Sequence, residues 1–85
     1  MRLNEEILRT ESRRAIFNAI DGRRGSPEIA VAVGASERAV QMFVKELSDE
    51  GLVRPVARAG RGNVVEKDEV GIAEWQLRRA REDAG

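Results

Sequence analysis

Between Glu37 and Asp49 the apolar residues Val40, Phe43, Val44 and Leu47 recur at i, i+3, i+4 and i+7, the spacing of one buried face of an α-helix. Ser36 stands where a helix cap belongs, and Gly51 closes the segment. The opposite face carries Arg38, Gln41, Met42 and Lys45, with Asp49 at its far end. A second helix is expected just ahead of this one. Ser26-Pro27-Glu28 supplies a capping hydroxyl, a proline at the first helical position and an acid at the positive end of the helix dipole. Ile29, Ala30 and Val33 form its buried face, and Gly34 permits the left-handed turn that stops it. The stretch 26–51 therefore reads as a helix-turn-helix.

Nearer the N-terminus, Asn4 can cap a helix whose first turn holds Glu5 and Glu6, with Leu8, Ser12, Ala15, Ile16, Ala19 and Ile20 on one face and Phe17 at its edge. Asp21-Gly22 ends it. Ile7 points away from that face and Arg9 onto it, so the first turns read as a separate piece broken near Thr10. Arg23-Arg24-Gly25 is a basic connector or a small strand, and its length leaves both open. Leu52 to Arg58 and Val64 to Glu66, joined by Ala59-Gly60-Arg61-Gly62-Asn63, predict a two-stranded hairpin with Pro55 on an edge or at a bulge. From Asp68 or Glu69 the chain is helical again, with Ile72, Ala73, Leu77 and Ala80 on one face and Trp75 to its side. The expected fold is mainly α with a small β-hairpin: a winged helix-turn-helix with flanking N- and C-terminal helices. It forms a single domain over 1–85, with the wing at about 52–67 and the last helix at about 69–83.

Composition narrows the chemistry. A chain of 85 residues has room for one domain, whose core stabilises the fold only modestly unless the chain dimerises. Lys+Arg and Asp+Glu are both 15, so attraction to a polyanion must come from where the charges sit. Having neither Cys nor His, the chain has no thiolate or imidazole for metal binding or nucleophilic and base catalysis. The carboxylate pairs Glu5-Glu6 and Asp49-Glu50 are explained by a helix start and a solvated helix end, so an enzyme is not expected, nor a cofactor. No apolar run approaches the roughly 18 residues that span a bilayer, and the polar N-terminus lacks a signal-peptide core. An intracellular, cytoplasmic protein without membrane contact is expected.

A helix that enters the major groove turns a polar face outward and is braced by a second helix. On that face Arg38 can pair with guanine and Gln41 with adenine, and Lys45 can reach base or phosphate. Ser26 and Ser36, at helix starts, are candidates for DNA backbone contact. In the hairpin Arg54, Arg58 and Arg61 are unopposed by any acid between Leu52 and Val65, and Arg61 at its tip suits a narrow minor groove. Against this, Glu37, Glu46, Asp49 and Glu50 crowd the same helix and repel phosphate. The same basic residues also fit an ordinary solvated helix face.

Three runs carry a resemblance. They are T-E-S-R-R-A-I-F-N-A-I from Thr10, E-I-A-x-x-V-G-A-S-x-R-x-V from Glu28, and L-x-x-E-G-L-V from Leu47 followed by the glycine-rich hairpin. Together they resemble winged-helix transcription regulators of the ArsR-like type, and MarR-like regulators are similar in this core. The resemblance covers Thr10 to Glu66, about two-thirds of the chain. It implies a homodimer joined by its terminal helices, here Leu3 to Arg9 and Ile72 to Ala80, with Ile7, Ile72, Trp75 and Leu77 as partner contacts. It also implies that the helix beginning at Ser36 reads DNA. The thiolate metal sites of metal-sensing members have no counterpart in a chain without Cys or His. The expected function is a sequence-specific regulator of transcription that binds double-stranded DNA as a dimer. The alternative is a winged-helix protein-interaction module anchored by Val31, Met42 and Trp75.

Overall fold

A computed structural model of the chain describes Leu3, residues 6–56 and residues 64–84. Helix α1 runs Glu11–Ala19, and Thr10 caps it: its backbone is extended and its hydroxyl accepts from the Arg13 amide at 3.1 Å. The chain does break near Thr10. Upstream, Leu3 and Glu6 are helical, and the Leu3 carbonyl accepts from the amides of Ile7 and Leu8 at 3.0 and 2.8 Å. Asn4 and Glu5 lie outside the described residues. Leu3, Ile7 and Leu8 all enter the core, and Arg13 and Arg14 donate to the Ile7 and Leu8 carbonyls at 3.1 and 2.9 Å. Ile7, expected at a partner surface, is therefore a core residue.

Helix α2 runs Ser26–Val33, and its cap lies one residue before the expected one. Gly25 takes the extended cap conformation and donates its amide to the Glu28 carboxylate at 2.9 Å, leaving Ser26 inside the helix and buried. Pro27 falls in the first turn, where no amide is needed. Gly25 also forms a single antiparallel bridge to Val64, so the connector does pair, at one residue. Gly34, at φ 72°, ends α2, and the Ala35 amide turns back to the Ala30 carbonyl at 3.0 Å.

Helix α3 runs Glu37–Asp49 behind the Ser36 cap, whose hydroxyl accepts from the Ala39 amide at 3.1 Å. Val40, Phe43, Val44 and Leu47 are all buried. Burying each such side chain contributes roughly 1.5–3 kcal/mol. At the C-terminus Gly51 adopts φ 75°, and the amides of Leu52 and Gly51 donate to the Leu47 and Ser48 carbonyls at 2.9 and 3.0 Å. That left-handed stop sets Leu52 beside Leu47, both fully buried.

Strands β1 (Val53–Pro55) and β2 (Val65–Lys67) are antiparallel, pairing Val53 with Lys67, Arg54 with Glu66 and Pro55 with Val65. Alternation puts Val53 and Val65 into the core and leaves Arg54 and Glu66 on the outer face. Lys67 covers the Phe17 ring, 4.7 Å from its centroid.

Helix α4 (Glu69–Ala84) starts at Asp68, whose carboxylate accepts from the Gly71 amide at 2.9 Å. Its inward face is not the expected one. Trp75 is buried and Ile72 half-buried, while Ala73, Leu77 and Ala80 are exposed. One indole hides more apolar surface than a row of alanines, and its N–H finds an acceptor, Glu50 Oε1 at 3.0 Å. A β-carbon on Gly71 would overlap the Gly51 carbonyl oxygen, so glycine lets α4 rest directly on the turn that ends α3. Trp75, expected at a partner surface, is thus the buried anchor of α4. The described residues form a mainly helical fold of four helices with a two-stranded antiparallel hairpin. None of the helices among them is long and apolar enough to cross a membrane.

Candidate nucleic-acid interface

With its apolar stripe in the core, α3 presents Arg38, Gln41 and Lys45 at i, i+3 and i+7 on one exposed face. At 1.5 Å per residue the three side chains span about 10 Å, roughly three base-pair steps. Among the described residues neither the Arg38 nor the Gln41 side chain makes a hydrogen bond or ion pair, so their polar groups are available to a ligand. Lys45 instead reaches Asp49 at 3.4 Å along the same face, with both side chains mostly exposed. Such a pair contributes little and exchanges readily for a phosphate. Gln41 and Lys45 also line an open recess of about 540 Å³ whose other wall is Pro55 and Val65 of the hairpin. Helix and hairpin therefore share one surface.

Two of the four acids that crowd α3 in sequence are drawn away from this face. Glu46 takes two hydrogen bonds from the Arg13 guanidinium at 2.8 and 3.3 Å, and Arg13 also lies over the Phe43 ring. Glu50 accepts from Trp75 and lies 3.7 Å from Arg79. Arg79 in turn bridges to Glu6 at 3.4 Å and Glu82 at 3.0 Å, and its pKa is raised, first by the hydrogen bond to Glu82 and then by the surrounding carboxylates. Glu46 and Glu50 thus brace α1 and α4 against α3. Asp49 opposes Lys45, and Glu37 is exposed in the first turn.

Other expected contacts fall differently. Ser36 is exposed at the α3 N-terminus, and Ser26, only 4 % exposed, lines the recess together with Gln41 and Lys45. Arg54 is engaged: Glu66, directly across the hairpin, accepts from its Nε at 2.6 Å, and this hydrogen bond raises the Arg54 pKa above its ordinary value. The partner sits just beyond the span counted as free of acids. Arg58 and Arg61 lie outside the described residues. At the other end of the hairpin base, the amides of Arg23 and Arg24 donate to Asp21 Oδ1 at 2.9 and 3.0 Å, and these two bonds lower the Asp21 pKa. Among the described residues no cluster of acids could hold a metal ion.

No model of a known family, no curated protein and no solved structure matches the chain.

Proposed function

We propose that the chain is a winged helix-turn-helix domain that binds double-stranded DNA sequence-specifically, as two copies on one site, and regulates transcription by occupying it. The observation that carries this reading is the outer face of α3, where Arg38 and Gln41 stand uncommitted while Glu46 and Glu50 are occupied behind it. In this reading α3 lies in the major groove, braced by α2. Arg38 pairs with guanine, Gln41 with adenine, and Lys45 leaves Asp49 for base or phosphate. The amides around Ser36 meet the backbone at a helix N-terminus. Arg58 and Arg61 take the wing role; Arg54, held by Glu66, does not.

Enrichment from a random duplex pool tests the proposal. A preferred sequence should emerge, and Arg38→Ala should cost about 1–3 kcal/mol of discrimination at one base pair. A pool from which nothing enriches would overturn it. Exposed Val31 and Met42, at 85 % and 63 %, favour a second reading, a protein-interaction module. Trp75 is not available to that module. Nonspecific DNA binding together with one stoichiometric protein partner would decide for it.

A further inference from the structure

Met42 is the apolar exception on the outer face of α3: it is 63 % exposed, while Val40 and Leu47 of the same helix are fully buried. At about 100° of turn per residue it stands about 200° round from Val40, so it points away from the core, of which it forms no part. On the helix surface it lies between Arg38, one turn before it, and Lys45, one turn after it, both exposed. The Arg38 side chain has no hydrogen bond or ion pair among the described residues, and Lys45 has only the exposed contact with Asp49. A single thioether is thus set between two cations that are open to acceptors.

Those neighbours select what can cover Met42. An apolar protein surface laid over it would also strip water from the Arg38 guanidinium and the Lys45 ammonium without offering either an acceptor. The major groove presents both chemistries side by side: acceptors on guanine and on the phosphates, and one exposed methyl group, that of thymine C5. We infer that Met42 is a specificity-determining residue that reads the 5-methyl group of a thymine close to the guanine taken by Arg38. The inference rests on the proposed DNA contact and deepens it. Four positions along α3 amount to about 6 Å, which sets the thymine within about two base-pair steps of that guanine. The unbranched, polarizable side chain of methionine adapts to the methyl group without a preformed pocket.

Duplexes that differ by single methyl groups test it. In the duplex enriched from the random pool each thymine is replaced in turn by deoxyuridine, which keeps every pairing group and removes only the methyl. The fluorescein-labelled duplexes are then titrated with the full chain. One replacement, within about two steps of the guanine whose preference Arg38→Ala relaxes, should weaken binding about fourfold, the factor that burial of one carbon contributes. With Met42→Gln, close to methionine in size, thymine and uracil should bind alike at that position, whereas Met42→Leu should keep part of the difference. Because Met42 is exposed, the urea midpoints of both variants should match that of the parent. Uracil as good as thymine at every position, no thymine within reach of that guanine, or a methyl effect that survives Met42→Gln overturns the inference and leaves the DNA reading standing. A pool from which no duplex enriches overturns that reading and the inference with it. A protein partner lost on Met42→Gln, with thymine and uracil duplexes bound alike, gives Met42 to protein contact and also overturns it.

Discussion

Helices α3 and α4 are both amphipathic, yet they spend their apolar residues in opposite ways. α3 encloses Val40, Phe43, Val44 and Leu47 and shows the solvent a mostly polar face that Met42 interrupts. α4 encloses Trp75, half-covers Ile72, and leaves Val70 and Leu77 outside. One helix is held by a continuous stripe; the other is held by a single indole, a glycine contact and the polar clasp of Glu50 with Trp75 and Arg79. The difference separates two kinds of surface on one small domain. The outer face of α3 carries Arg38, Gln41 and Lys45, and that of α4 carries the exposed apolar side chains Val70 and Leu77.

The sharpest way to break this comparison is to truncate the anchor of α4 beside a residue of its outer stripe. Trp75→Ala should cost about 3–5 kcal/mol in urea unfolding, because it empties a buried site and removes the indole donor to the Glu50 carboxylate. Leu77→Ala at low protein concentration should change stability by less than about 0.5 kcal/mol. Equal losses would mean that both faces of α4 are packed. A smaller effect is expected from Gly71→Ala. The added methyl strikes backbone rather than a flexible side chain, so α4 must shift off the Gly51 turn at a cost of about 1–3 kcal/mol, read from the thermal midpoint, even though alanine favours helix.

On α3 the pairing of Glu46 with Arg13 can be weighed by a double-mutant cycle with Arg13→Met and Glu46→Gln. The half-exposed, two-bonded pair should couple by about 1 kcal/mol. No coupling would return Glu46 to the acids that oppose an anion. The smallest effect concerns Asp21, whose pKa is lowered in the folded chain by the Arg23 and Arg24 amides. Its carboxylate binds fewer protons folded than unfolded. The stability it contributes is therefore fully present above the ordinary carboxylate range and is lost as pH falls through the lowered pKa. Asp21→Asn should narrow the gap in urea midpoint between neutral and strongly acidic solution, and an unchanged gap would remove Asp21 from the account.

Much of α3 was legible in the sequence because several signals agreed: the Ser36 cap, the Gly34 and Gly51 stops and an unbroken stripe. The hairpin was legible from its turn residues. The inward face of α4 was not, because periodicity weighs each apolar position alike and hides how much more one tryptophan can bury than three small residues. The cap of α2 was misplaced at Ser26 because a glycine can also cap, with Glu28 closing the turn from within. The acids on α3 looked hostile to phosphate since their partners lie far along the chain, with Arg13 separated from Glu46 by 33 positions and Trp75 from Glu50 by 25. A boundary position offered a signal: Glu46 flanks the core stripe of α3 just as Arg13 flanks Ile16 and Phe17 of α1, and opposite charges at such edges are candidates for one another.

The proposal that α3 binds duplex DNA through charged contacts is tested most directly by titrating a fluorescent duplex of the enriched sequence at a series of salt concentrations. The logarithm of affinity should fall linearly with the logarithm of salt concentration, with a slope that shrinks by about one unit for each phosphate-binding Lys or Arg removed. Affinity indifferent to salt, or absent binding at low salt, would contradict it.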